Sequence, residues 1–136
     1  EGNEVKLDSY TGKVVLVDFW SSTLDAYKRD LPRSLAVVEE WQKRGVEAIG
    51  IGLDRERAAF LAFVKDNKVP WRQVFAGKGL ADDEVARLWG VTRVPRRYLV
   101  GHDGKVRFVD VRGDGLAAAV KQLVERAEKR STKKGD

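Results

Sequence analysis

"GKVVLVDFWSSTLDAYKRDLP", residues 12–32, decides how the rest of the chain is read. Val14 to Trp20 form an apolar run rich in β-branched residues, and a run without alternation marks a strand buried on both faces. Asp18 interrupts it with a single carboxyl group. Three small hydroxyl residues follow, Ser21, Ser22 and Thr23, of the kind that cap a helix start. A helical pattern then occupies residues 22–44, with Leu31, Leu35, Val38 and Trp41 on one stripe, Pro32 placed to kink it and Gly45 to stop it. A strand that ends in two aromatics and hands over to a helix start has the shape of a reaction site. None of its side chains is an obvious nucleophile.

Downstream, "VEAIGIGLD" (46–54) reads as a second buried strand, with Asp54 placed to cap a helix over "RERAAFLAFVKDN" that buries Phe60, Phe63 and Val64. "VPWRQVF" is a short extended piece. "GLADDEVARLWG" (79–90) predicts a helix with Leu80, Val85 and Leu88 as its core stripe. "VPRRYLV" and "KVRFVDV" predict strands joined by the turn "GHDG", and a last helix buries Leu116, Val120, Leu123 and Ala127. The order β-α-β-α-(β)-α-β-β-α predicts an α/β fold. Its mixed central sheet has parallel early strands, an antiparallel late hairpin and helices on both faces. Trp20, Trp41, Trp71 and Trp89 are read as core residues, and His102, in the turn, receives no role.

The totals narrow the function classes. A chain of 136 residues suits one domain, taken as 1–130, with a basic, disordered tail at 131–136. Its start at Glu1 suggests a cut fragment or mature domain. No apolar run is long enough to span a membrane. The net charge of +5 reads as solubility before nucleic-acid binding, since no Arg- and aromatic-rich recognition motif accompanies it. With no cysteine and one histidine, a disulfide, thiolate catalysis and a Cys-ligated metal are excluded, and the reading calls for neither metal nor other cofactor.

Several of these words, in this order, resemble the thioredoxin superfamily, and within it the TlpA-like thiol–disulfide oxidoreductases and the related alkyl-hydroperoxide-reductase-like (AhpC/TSA) domains. The resemblance runs from about Leu7 to Val124. It rests on "GKVVLVDFW" at 12–20, "LP" at 31–32, "GVTRVP" at 90–95 and "YLVGHDGKV" at 98–106. It implies a thioredoxin-like fold, a cis peptide bond before Pro95 packed opposite the active site, and an extracytoplasmic location. Set in register without a gap between Phe19-Trp20 and Leu31-Pro32, the family's two reactive cysteines fall on Leu24 and Tyr27. The intervening pair is Asp25-Ala26, and the family's acid before Leu-Pro is Asp30. Thiol–disulfide exchange needs one thiolate to attack and a second thiol to resolve. Leucine and tyrosine supply neither.

Each remaining position has two readings. Asp18 matches the aspartate that lies beneath the cysteines in many thioredoxins. It is either a residual acid–base group or, as favoured here, an inherited residue held by a hydrogen bond or a water. Ser22 and Thr23 precede a helix whose free amides and dipole could bind an anion, and ordinary capping is the plainer reading. Arg93, Arg96 and Arg97 surround Val94-Pro95, where the family usually has small residues. They either gather with Lys28 and Arg29 to recognise an acidic peptide or another anion, or turn away in part to pair with Asp25 or Asp30. Leu24 and Tyr27 either plug the old groove, which is the preferred reading, or anchor a partner. The leading expectation is a redox-inactive binding module that holds a protein or peptide segment at residues 21–29 and 93–97. Its rivals are a thiol-free domain that positions substrate within a larger oxidoreductase, and a purely structural domain.

Overall fold

The computed structural model describes residues 7–77, 79 and 83–135, the side chains of 7, 8 and 131–135 excepted. After a short 3-10 turn at Leu7–Tyr10, the elements are β1 (Val14–Trp20), α1 (Asp25–Trp41), β2 (Val46–Gly52), α2 (Arg57–Asp66) and β3 (Arg72–Phe75). They continue with α3 (Glu84–Leu88), β4 (Arg96–Val100), β5 (Val106–Val109) and α4 (Asp114–Gly135). The five strands form one sheet in the order β3-β2-β1-β4-β5. β1 pairs parallel to β2, and β2 parallel to β3; β4 runs antiparallel to both β1 and β5. This is the mixed α/β sheet that the sequence implies.

The central strand is buried along its whole length, as an unalternating apolar run requires. Its even-numbered side chains Val14 and Leu16 meet Val37, Val38 and Trp41 of α1 and Leu116, Val120 and Leu123 of α4. Trp20 ends the same face and packs with Tyr27, Phe60 and Phe63, which brings α2 over that corner. The odd-numbered Val15, Val17 and Phe19 meet Ile49, Ile51, Ala86 and Val91 on the opposite face. Asp18 therefore lies on the α1 side of the sheet, between Leu16 and Trp20, and is fully buried. Gly45 stops the first helix as expected, in the left-handed conformation at the end of the 3-10 turn Gln42–Arg44.

Four expectations are corrected. The helix expected over 79–90 shrinks to the short α3, capped by Asp83, whose carboxylate accepts from the Ala86 amide at 2.8 Å. That cap turns Ala86 inward and leaves Val85 and Leu88 exposed, Leu88 at 85%; Leu80 lies outside the described residues. Asp54 does not cap α2, which starts from Glu56 without a side-chain hydrogen bond. Ala127 is only half-buried, and Ala119 and Val124 fill the α4 stripe in its place. The backbone of α4 is helical through Gly135, so the helix enters the residues expected as a tail. Among the described residues, no helix is long and apolar enough to cross a membrane.

Candidate functional site

The site lies where β1 ends, α1 begins and β4 starts. Leu24, at the first former cysteine position, is the residue before α1 and is half-buried. Tyr27, at the second, is fully buried. Its ring stacks on Trp20 with centroids 5.1 Å apart and planes at 13°, and it tilts against Phe63 at 5.9 Å. The phenol thus fills the volume beneath the helix start, which is the plug reading of this position. Burial pushes the Tyr27 hydroxyl far above the usual phenol range; the Asp18 carboxylate pushes the same way, against Arg97 and Arg112. Its Oη is buried without a hydrogen-bond partner. Tyr27→Phe is therefore expected to leave stability unchanged or raise it by up to about 1 kcal/mol, since an unpaired buried hydroxyl costs free energy. A denaturant midpoint that falls on this substitution would show that the hydroxyl has a partner.

The register between β1 and β4 places Arg97 directly opposite Asp18. With a period of two, Arg97 shares the α1 face with Asp18 and Leu99, and its side chain is 1% exposed. Its guanidinium grips Asp18 bidentately, Nε to Oδ1 at 2.8 Å and Nη2 to Oδ2 at 2.9 Å. Nη2 also donates to Ser34 Oγ at 2.7 Å, while Nη1 meets Asp30 Oδ2 at 3.1 Å and the Val111 carbonyl at 3.2 Å. A guanidinium has five N–H groups; here four make hydrogen bonds and Nη1 also lies in an ion pair with Asp30. Burial alone would pull the Arg97 guanidinium down, but the carboxylates of Asp18 and Asp30 outweigh it and hold it above its ordinary value. Arg97 stays charged and has nothing left to offer an outside anion. Its expected part in recognising an acidic partner is corrected accordingly: the inward reading holds for it, with Asp30 among its partners as that reading allowed.

The other two arginines go elsewhere. Arg96 is half-buried and reaches Asp110 at 3.0 Å; the same carboxylate accepts from the Arg97 amide at 2.8 Å. Arg93 is exposed, as are Asp25, Lys28 and Arg29, and none of the four has an ion pair among the described residues. The Val94–Pro95 bond is cis, and both residues are half-buried. No backbone hydrogen bond engages Arg93 or Val94 among the described residues.

The loop before α1 is tied down from inside. Ser21 Oγ donates to Asp54 Oδ1 at 2.5 Å, and the Ser22 amide donates to the same oxygen at 2.8 Å. Thr23 Oγ1 lies 3.0 Å from Ser21 Oγ. Neither Ser22 nor Thr23 caps α1 with its side chain; the capping position is Leu24, without a side-chain bond. The capping reading of these two residues is thereby corrected: the Ser22 amide turns to Asp54, and Thr23 turns to Ser21.

Asp54, Ser34 and the Asp110–Arg112 segment were not read from the sequence as parts of this site. Ser34 carried a signal: it lies one helical turn after Asp30, inside an apolar stripe, and bonds to the Asp30 carboxylate at 3.2 Å. Among the described residues no group of side chains could hold a metal ion.

Comparison with known proteins gives a consistent picture. The model of the AhpC/TSA family matches residues 1–109. The thiol-disulfide oxidoreductase ResA of Bacillus thuringiensis subsp. konkukian is 27% identical over 128 residues, covering 93% of this chain and 70% of that protein. Among solved structures, the thioredoxin domain of a thiol-disulfide oxidoreductase from Bacteroides vulgatus superposes with a TM-score of 0.81 at 29% identity, covering 90% of this chain and 87% of that one. A thiol:disulfide interchange protein DsbE from Chlorobium tepidum, itself named as putative, superposes with a TM-score of 0.75 at 26% identity, over 90% and 85% of the two chains.

Proposed function

We propose, for a chain that belongs to the AhpC/TSA family and holds no cysteine, that it is a redox-inactive thioredoxin-fold domain whose former active-site face holds an extended segment of a partner protein. Exchange of disulfides requires a thiolate, and Leu24 and Tyr27 stand at both positions where the resemblance puts one. The observation that carries the binding reading is the unused backbone of Arg93 and Val94 beside the cis-Pro95 bend. Polar main-chain groups left open next to a sheet are a ready edge for an added strand. Leu24, Val94 and Pro95 supply a half-buried apolar floor, with Ser22, Thr23 and Asp25 on the helix side. The exposed cations Lys28, Arg29 and Arg93 favour a partner segment that is acidic, while Arg96 is engaged by Asp110. An extracytoplasmic place of action belongs to the same reading and is supported by kinship alone.

The test is an amide-shift titration of the isotope-labelled domain with an acidic peptide and with a neutral peptide of equal length. The expected result is saturable shifts confined to residues 21–29 and 93–96, larger for the acidic peptide and reduced by added salt. Shifts spread over every basic surface, or none at all, would leave the domain with a structural role.

A further inference from the structure

A buried carboxylate is tied to the loop that leads into α1. Asp54 stands three residues before Arg57, where α2 begins, and its Oδ1 holds Ser21 and Ser22, just before α1 begins. Its carboxylate thus sits between two helix starts. The residue is 6% exposed, its Oδ2 is buried without a hydrogen-bond partner, and no cation pairs with it among the described residues. A buried carboxylate with one oxygen unpaired is costly unless a positive potential compensates it. Its bonds to the Ser21 hydroxyl and the Ser22 amide lie outside both helices, but α1 starts three residues after Ser22 and α2 three residues after Asp54 itself, and a helix start carries positive potential.

From this geometry we infer that Asp54 is a resident anion, and that it determines the selectivity of the loop at 21–24. By occupying the positive potential, it turns that loop against phosphate, sulfate and carboxylate groups. A docked acidic segment then has to place its charges on the other side, against Lys28, Arg29 and Arg93. The inference does not require that a peptide binds; it concerns the loop alone, so the two readings fail separately.

The probe is inorganic sulfate, added to the labelled domain against sodium chloride of matched ionic strength, with the amides of 21–26 as the readout. The wild-type domain is expected to show no saturable shift there. Asp54→Asn, which keeps the shape and removes the charge, is expected to bind sulfate at that loop at least about tenfold more tightly. Asp54→Ser serves the same purpose if the amide disturbs folding. Ser21→Ala loosens the loop but leaves the carboxylate, and is expected to behave as wild type. Saturable sulfate binding by the wild-type loop would overturn the inference, as would a folded but silent Asp54→Asn. So would a Ser21→Ala variant that binds as well as Asp54→Asn, because loop release rather than charge would then be the cause.

Discussion

Arg97→Ala is expected to destabilise the domain by about 3–5 kcal/mol, read as a fall in the midpoint of chemical unfolding, because it strips a buried carboxylate of its partner. The substitution leaves Asp18 buried with both of its guanidinium bonds gone, and removes one contact each from Ser34, Asp30 and the Val111 carbonyl. Asp18→Ala is expected to cost a similar amount, since Arg97 would retain Asp30 and Ser34 but lose its bidentate partner. The double variant Asp18→Leu/Arg97→Met is the informative member of the series. Apolar side chains of similar volume remove both charges together, and such replacements are often neutral or stabilising. The double variant should therefore recover most of what either single change loses. If Arg97→Ala unfolds within about 1 kcal/mol of wild type, water reaches the cluster and the pair is not a buried one.

The second large effect concerns the lost thiols. Leu24→Cys/Tyr27→Cys is expected to yield a pair that cycles between dithiol and disulfide, where the wild-type domain gives no thiol signal at all. The two positions are the residue before α1 and the third residue within it, three apart on a helical turn. That spacing brings their Cβ atoms to about 5–6 Å, close enough for small backbone adjustments to join the sulfurs. The same variant is expected to lose about 3–5 kcal/mol in its reduced form, because it removes an aromatic ring from a packed cluster. Tyr27 contacts both Trp20 and Phe63, and a cysteine would leave both rings facing a void. Thiol titration and melting with and without reductant read the two halves separately. A reduced double variant as stable as wild type would mean that Tyr27 is not a core plug.

The fold was legible because its signals are local. The run Val14–Trp20 states its own burial, and Gly45 states where the helix ends. The cis-Pro95 bend and the hairpin after it follow from short words that a resemblance carries. The site was less legible because its decisive contacts depend on register. Arg97 reads as one of three basic residues beside a proline; only its pairing opposite Asp18 decides that it faces inward. The α3 stripe failed for a related reason. Over a helix as short as Glu84–Leu88, the cap at Asp83 sets which side turns inward, and periodicity has too few residues to show it. Asp54 was misread because a carboxylate ahead of a helix is normally its cap; here the preceding helix start lies close enough to claim it first.

The pair formed by Asp18 and Arg97 also limits how this sequence can vary. Losing either residue alone passes through a protein with one buried charge and no counterpart, a state near the edge of what a domain of this size tolerates. A shift of β4 by one residue would carry Arg97 to the other face of the sheet and have the same result. A change at position 18 is therefore expected to be tolerated only with a matching change at position 97. Cysteines regained at 24 and 27 would leave that constraint in place, and a restored dithiol would work above a buried ion pair and without the Tyr27 ring that now packs on Trp20 and Phe63.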